Sequence, residues 1–248
     1  MEDAYLNRLP ADVRQLVEEI EEKAGIEIEI RIDPERARQQ CDGPTPMACE
    51  ADERGAWILI ASRDDFPESS VLHELFHIHR ILIEQVPKLV VCDDLWDRET
   101  DRAYELDRGI HALDNNIEHL AIVPRELRLR PDRGDWWAGR FGRVLEKLAS
   151  GQFAEQMQRD NNAFVAWVSI KHILGEGNLL ENARQIFERL ALLQRAENLY
   201  RDVSQSEGSK VTISRAWLQA IDLPRKYICF EYTNIYDHST EEVPMESE

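Results

Sequence analysis

Apolar residues fall on two periods along this chain, and the change of period marks its elements. Val13, Leu16, Val17 and Ile20 recur at helical spacing between Asp12 and Lys23, which lines one face of an amphipathic helix. Gly25 follows as its stop. Ile26 to Ile32 then alternates apolar and polar, the pattern of a strand with one wet face. Residues 42–46 read as loop, and Ala56 to Ala61 is an apolar run that reads as a second strand. Leu72, Leu75, Phe76, Ile78, Ile81, Leu82 and Ile83 predict a mostly buried helix from Pro67 to Gln85. Ser62, Asp64 or Asp65 can cap it, Pro67 suits its first turn, and Glu68 favours its positive end. Pro87 ends it.

Helical periodicity dominates the rest. Pro124, Pro131 and Gly134 mark a joint, and helices are predicted over Phe141–Leu148, Asn161–Leu174 and Leu179–Val203. Leu180, Ala183, Phe187, Leu190, Leu193, Ala196, Leu199 and Tyr200 form one stripe along the last of these, which reads as core. Tyr227 to Tyr232 is strand-like, and the acidic stretch 237–248 reads as disordered. The expected class is α+β, a small N-terminal sheet with metal-bearing helices followed by a mostly helical C-terminal half. Its expected divisions are 1–130, 131–236 and the tail 237–248.

The chemistry sits on the helix after the second strand, in Val71-Leu72-His73-Glu74-Leu75-Phe76-His77. On a helix His73 and His77 project from one face and can hold a single Zn²⁺. Glu74 is offset by one position and reaches a water activated by the metal rather than the metal itself, the place of a general base. Two unpaired imidazoles and a carboxylate on a buried helix are costly to desolvate, and a metal relieves that cost. The pattern points to zinc-dependent hydrolysis.

A catalytic zinc takes three protein ligands and keeps one position open. The third candidates lie downstream, around Leu113-Asp114-Asn115-Asn116-Ile117-Glu118-His119. Asp114, Asn115 or Asn116 can cap a helix that carries Glu118 in its first turns, with Asn115 and His119 beside the site. His119 and His111 rival Glu118 as ligands. The segment resembles the second ligand helix of glutamate-type zinc peptidases, which favours Glu118 and a His₂Glu set.

Ser70 to His77, preceded by a short strand and followed by Asn115-Asn116-Ile117-Glu118-His119, resembles the ImmA/IrrE group of bacterial zinc metallopeptidases. Within it the chain is similar to the peptidases encoded beside a repressor in CBASS anti-phage operons. The resemblance spans roughly residues 10–125. It implies a zincin-like domain and a zinc endopeptidase that cleaves a helix-turn-helix repressor. Cleavage would derepress a stress or anti-phage defence operon after DNA damage.

Cys92 lies after the extended stretch Leu89-Val90-Val91, which can bring a thiolate back over the zinc. There it would take the fourth position and hold the enzyme off, the cysteine switch that the resemblance implies. A small buried hydrophobe is the other reading of the same residue.

Net charge is −18 and the sequence pI about 4.8. That argues against a duplex-DNA surface, which needs a basic patch, and suits a basic partner protein. Trp136, Trp137, Arg140 and Arg143 form one aromatic-basic cluster. It reads as packing anchors, or as a site for single-stranded DNA acting as activator. No apolar run reaches membrane-spanning length, the N-terminus lacks the parts of a signal peptide, and the spread of Cys41, Cys49, Cys92 and Cys229 suits reduced thiols in a cytoplasmic protein. Two other functions fit the same residues: a sensor with a closed zinc site and Cys92 as permanent fourth ligand, and a module that binds a partner protein or single-stranded nucleic acid.

Overall fold

The computed structural model describes residues 1–40, 44–153 and 155–245. The chain is α+β, mostly helical, with two small three-stranded sheets. It divides into one unit of residues 1–88 and 230–243 and a second of residues 89–229 with the C-terminal residues from 244. Residue 130, the expected division, falls at the turn between helices α6 and α7 (below), within the second unit.

The first unit begins with the short helix α1 (Asp3–Leu6) and α2 (Ala11–Ala24). Val13, Val17 and Ile20 are fully buried on α2, and Gly25 closes it in the left-handed conformation at φ 67°, which glycine adopts without steric cost. Strand β1 (Ile28–Ile32), helix α3 (Pro34–Gln40), strand β2 (Met47–Asp52) and strand β3 (Gly55–Ile60) follow. The sheet order is β1-β3-β2, with β1 parallel and β2 antiparallel to β3. Every residue of β3 is buried, as a continuous apolar run in a central strand should be. This strand is therefore core and not a sheet edge open to a peptide. Helix α4 (Glu68–Leu82) lies against β2 and α2. Pro67 is its N-cap, and no side chain caps it. Ser62 and Asp65 instead bond each other at 3.0 Å in the turn before it.

Strand β4 (Lys88–Val91) leads to α5 (Asp93–Arg98) and then α6 (Thr100–Leu129). Two expectations fail here. Asp114 to Asn116 start no helix, because α6 is continuous from Thr100, and Pro124 lies inside it. A proline within a helix costs one backbone hydrogen bond. Ile110, Leu113, Ile117, Leu120, Ile122 and Val123 are buried along α6, and that apolar burial outweighs the single lost bond. The chain turns at Pro131 into α7 (Arg133–Ala149), then α8 (Gln156–Ser169) with a π-helical turn over Ile170–Leu174. The long stripe expected over Leu179–Val203 is two helices, α9 (Asn178–Arg189) and α10 (Leu193–Gln205), broken where Ala191 takes φ 56°. Helix α11 (Lys210–Ala220) completes the bundle. α7, α8, α10 and α11 pack in succession, and Trp137, Trp167, Trp217, Phe164 and Phe187 fill the core at under 2 % exposure. Each contributes roughly 1.5–3 kcal/mol of burial.

Strands β5 (Ile228–Asn234) and β6 (Ser239–Pro244) follow, in a second sheet of order β4-β5-β6. The stretch expected to be disordered thus holds a strand. Its acidic side chains stay mostly exposed, so charge costs the strand little, while pairing satisfies the backbone. Asn234 accepts from the Tyr236 amide at 3.0 Å and His238 takes φ 55°, which closes the hairpin. Residues 246–248 of that stretch lie outside the described residues. Among the described residues no helix is long and apolar enough to cross a membrane.

Candidate metal centre

On α4 the two histidines stand one turn apart, as their spacing dictates. Their ring centroids are 5.0 Å apart and inclined at 74°. His73 is buried and His77 half-buried, and Glu74 between them is 6 % exposed. Leu72, Leu75, Phe76, Ile78 and Leu82 hold the helix down. A neutral imidazole crosses into such surroundings far more cheaply than a charged group, and it is the form that ligates a metal.

Glu118 and His119 are neighbours in the middle of α6, both buried. Adjacent residues on a helix point about 100° apart, and here they meet different partners. Glu118 Oε1 lies 2.8 Å from Lys210 Nζ on α11. The same ammonium lies 2.7 Å from Asp114 Oδ1, one turn before Glu118. That Asp114 oxygen also accepts from the Leu89 amide at 2.8 Å. His119 packs its ring edge-on to Trp137 at 5.1 Å. The ligand atoms of His73, His77 and His119 all lie within 4.8 Å of one another, close enough to share a metal ion.

His119, the rival candidate to Glu118, is the third residue of that group. The Glu118 carboxylate has a built-in counter-ion in Lys210, on an element far along the chain that helical spacing around residue 118 does not reveal. His111, the other rival, is exposed on α6, and Asn115 is half-buried there.

Burial works against the Lys210 ammonium, but the pull of Asp114 and Glu118 outweighs it and raises its pKa above the usual lysine value of 10.5. Burial is also the main cause that raises the Asp114 carboxyl above 3.8, with Lys210 opposing. The two carboxylates share the Lys210 ammonium.

Cys92 is not at the metal group. It is bonded to Cys229, with 5.3 Å between the Cα atoms, and its amide donates to Tyr227 O at 2.9 Å. The extended stretch before it forms as expected, as β4, but delivers the sulfur to the start of β5. The expectation of reduced thiols is corrected for this pair. Cys49 is not disulfide-bonded, and Cys41 lies outside the described residues.

Of the aromatic-basic cluster, Trp137 is built inward, Trp136 and Arg140 are half-buried and Arg143 is exposed. Trp137 is 1 % exposed and its indole donates to Glu126 Oε2 at 3.1 Å. Arg133 donates to the other oxygen of that fully buried carboxylate at 2.7 Å, and its guanidinium covers Trp136. These residues anchor α6 to α7. Sequence reasoning missed Glu126 and Lys210. Both are charged residues on helices, whose usual place is the surface.

No protein-family model matches the chain, and neither a curated protein nor a solved structure does.

Proposed function

We propose that the chain is a zinc-dependent endopeptidase of the kind its His-Glu-x-x-His element resembles, acting on a partner protein. The observation that carries this reading is the convergence of His73, His77 and His119 within 4.8 Å, with Glu74 next to a ligand in sequence. Tetrahedral zinc bound through imidazole nitrogen at about 2.0–2.1 Å needs nitrogens roughly 3.3 Å apart, a separation the cluster admits. Three neutral nitrogens suit zinc and leave one coordination position open. With the Cys92 sulfur bonded to Cys229, that residue does not supply a fourth ligand, which supports a catalytic over a purely structural metal. Bound zinc would supply a Lewis acid for the scissile carbonyl and an acidified water.

The chain's own residues do the rest. His73, His77 and His119 would hold the metal. Glu74 takes the proton from the attacking water and returns it to the leaving amine. The net charge of −18 attracts basic substrates. A basic DNA-binding repressor, as the resemblance to the ImmA/IrrE group implies, fits that field.

The test is metal content together with cleavage of casein and of a quenched-fluorescent peptide library. Wild type should carry one equivalent of zinc and cut basic peptides faster than acidic ones. Glu74→Gln should keep the zinc and lose cleavage by about a hundredfold or more. Zinc-free wild-type protein, or Glu74→Gln as active as wild type, would overturn the proposal.

A further inference from the structure

The second unit presents an aromatic pair to water where α5 meets α6. Glu99, between the two helices, takes φ −141° and ψ 63° and bends the chain there. Leu95 and Ala103, one on each side of the bend, are buried. The next residue along a helix lies about 100° round its axis, and in both helices it is aromatic. Trp96 is half-buried and Tyr104 is 61 % exposed. Their ring centroids are 4.9 Å apart and the planes stand at 89°. Asp93 comes three residues before Trp96, and Asp101 and Asp107 come three before and three after Tyr104, positions that share a helix face with the rings. Residues 93–107 hold seven carboxylates and two arginines, a net charge of −5. Both arginines are answered locally, Arg98 by Asp94 at 3.8 Å and Arg102 by Glu99 at 3.0 Å.

We propose that Trp96 and Tyr104, with the carboxylates around them, form a docking surface for an arginine-bearing basic segment of a partner protein. The negative faces of the rings attract a cation, and a planar guanidinium stacks on them better than an ammonium does. The same unit already uses this chemistry on itself. The Arg102 guanidinium lies over the Tyr227 ring at 4.7 Å while it donates to Glu99 at 3.0 Å, so one arginine is held by an aromatic face and a carboxylate together. The Trp96–Tyr104 pair offers a second such combination, facing solvent. Its carboxylates repel nucleic-acid phosphates, and an apolar partner would have to strip them of water. Charge complementarity therefore selects the basic partner. Docking of this kind involves no metal, so it goes beyond the zinc chemistry proposed above and stands or falls separately from it.

The test is binding of a fluorescein-labelled arginine–serine repeat peptide to the full chain, read by anisotropy at physiological salt with a metal chelator present. A lysine–serine peptide of equal charge is the comparison, and it should bind several-fold more weakly. Tyr104→Leu keeps apolar area but removes the ring face, and it should weaken the arginine peptide by about three- to fivefold. Trp96→Ala should cost at least as much, and Tyr104→Phe, which keeps the ring, should stay within about twofold of wild type. Asp101→Asn should weaken binding more than Glu188→Gln, which removes the same charge from exposed α9. Melting temperatures check that each variant is folded, and if Trp96→Ala is not, the exposed Tyr104 variants decide. Failure of wild type to bind either peptide overturns the proposal. So does equal binding of the two peptides with Tyr104→Leu unchanged, which reduces the effect to the charge of the whole chain. Tighter binding of a single-stranded oligonucleotide than of the peptide, or self-association that Tyr104→Leu abolishes in sedimentation, would give the surface a different occupant and overturn it as well.

Discussion

Helices α4 and α6 each carry a pair of polar side chains at i and i+4, one buried and one half-buried, and they meet the resulting cost in different ways. On α4 the pair is His73 and His77, imidazoles whose ring nitrogens can ligate a metal. On α6 the pair is Asp114 and Glu118, acids for which burial is expensive without a cation, and α11 supplies one in Lys210. The same helical spacing thus yields a pair suited to receive a metal ion in one case and an ion-paired lock in the other. The side-chain chemistry, and not the spacing, decides which.

That contrast can be broken most sharply at the histidines. His73→Ala or His77→Ala should abolish zinc binding, lowering affinity by at least about a hundredfold, while the metal-free protein keeps nearly its wild-type melting temperature. A large loss of stability without metal would make the α4 pair structural after all.

The lock should behave in reverse. Lys210→Ala strands two buried carboxylates and should cost about 3–5 kcal/mol in a denaturant titration. An effect below about 1 kcal/mol would mean the cluster is wetter than its burial indicates.

A third long-range link in the second unit sharpens the comparison, since it acts without burying charge. The Cys92–Cys229 bond joins residues 137 apart. Cys229→Ser should cost about 2–4 kcal/mol, mainly by freeing the unfolded chain. An unchanged transition in the variant, against wild type kept oxidised, would show that the bond does not form in the folded protein.

The smallest effect is in pH. The Lys210 pKa is raised above 10.5, so its stabilisation is complete below that value and fades as pH rises through the higher folded one. The Asp114 pKa is raised above 3.8, so it too favours the fold most at low pH and loses that contribution as pH climbs. Denaturation midpoints of wild type should therefore fall above about pH 10.5, and the fall should flatten in Lys210→Met/Asp114→Asn. Parallel curves for the two proteins would remove Lys210 as the cause.

The sequence alone determined what depends on near neighbours. The helical stripe of α2, its stop at Gly25, the apolar run of β3 and the pairing of His73 with His77 are all set by residues within a turn or two of each other, where steric and periodic rules hold irrespective of the fold. Tertiary structure decided what depends on distant partners. It gave the buried Glu118 and its neighbour Asp114 a shared counter-ion in Lys210, far along the chain. It carried Cys92 to Cys229, ran α6 through Pro124 because its apolar face is buried, and paired an acidic tail into β6. In each case a charge, a sulfur, an apolar face or a strand edge has more than one local solution, and the choice goes to whichever partner the fold brings within bonding distance.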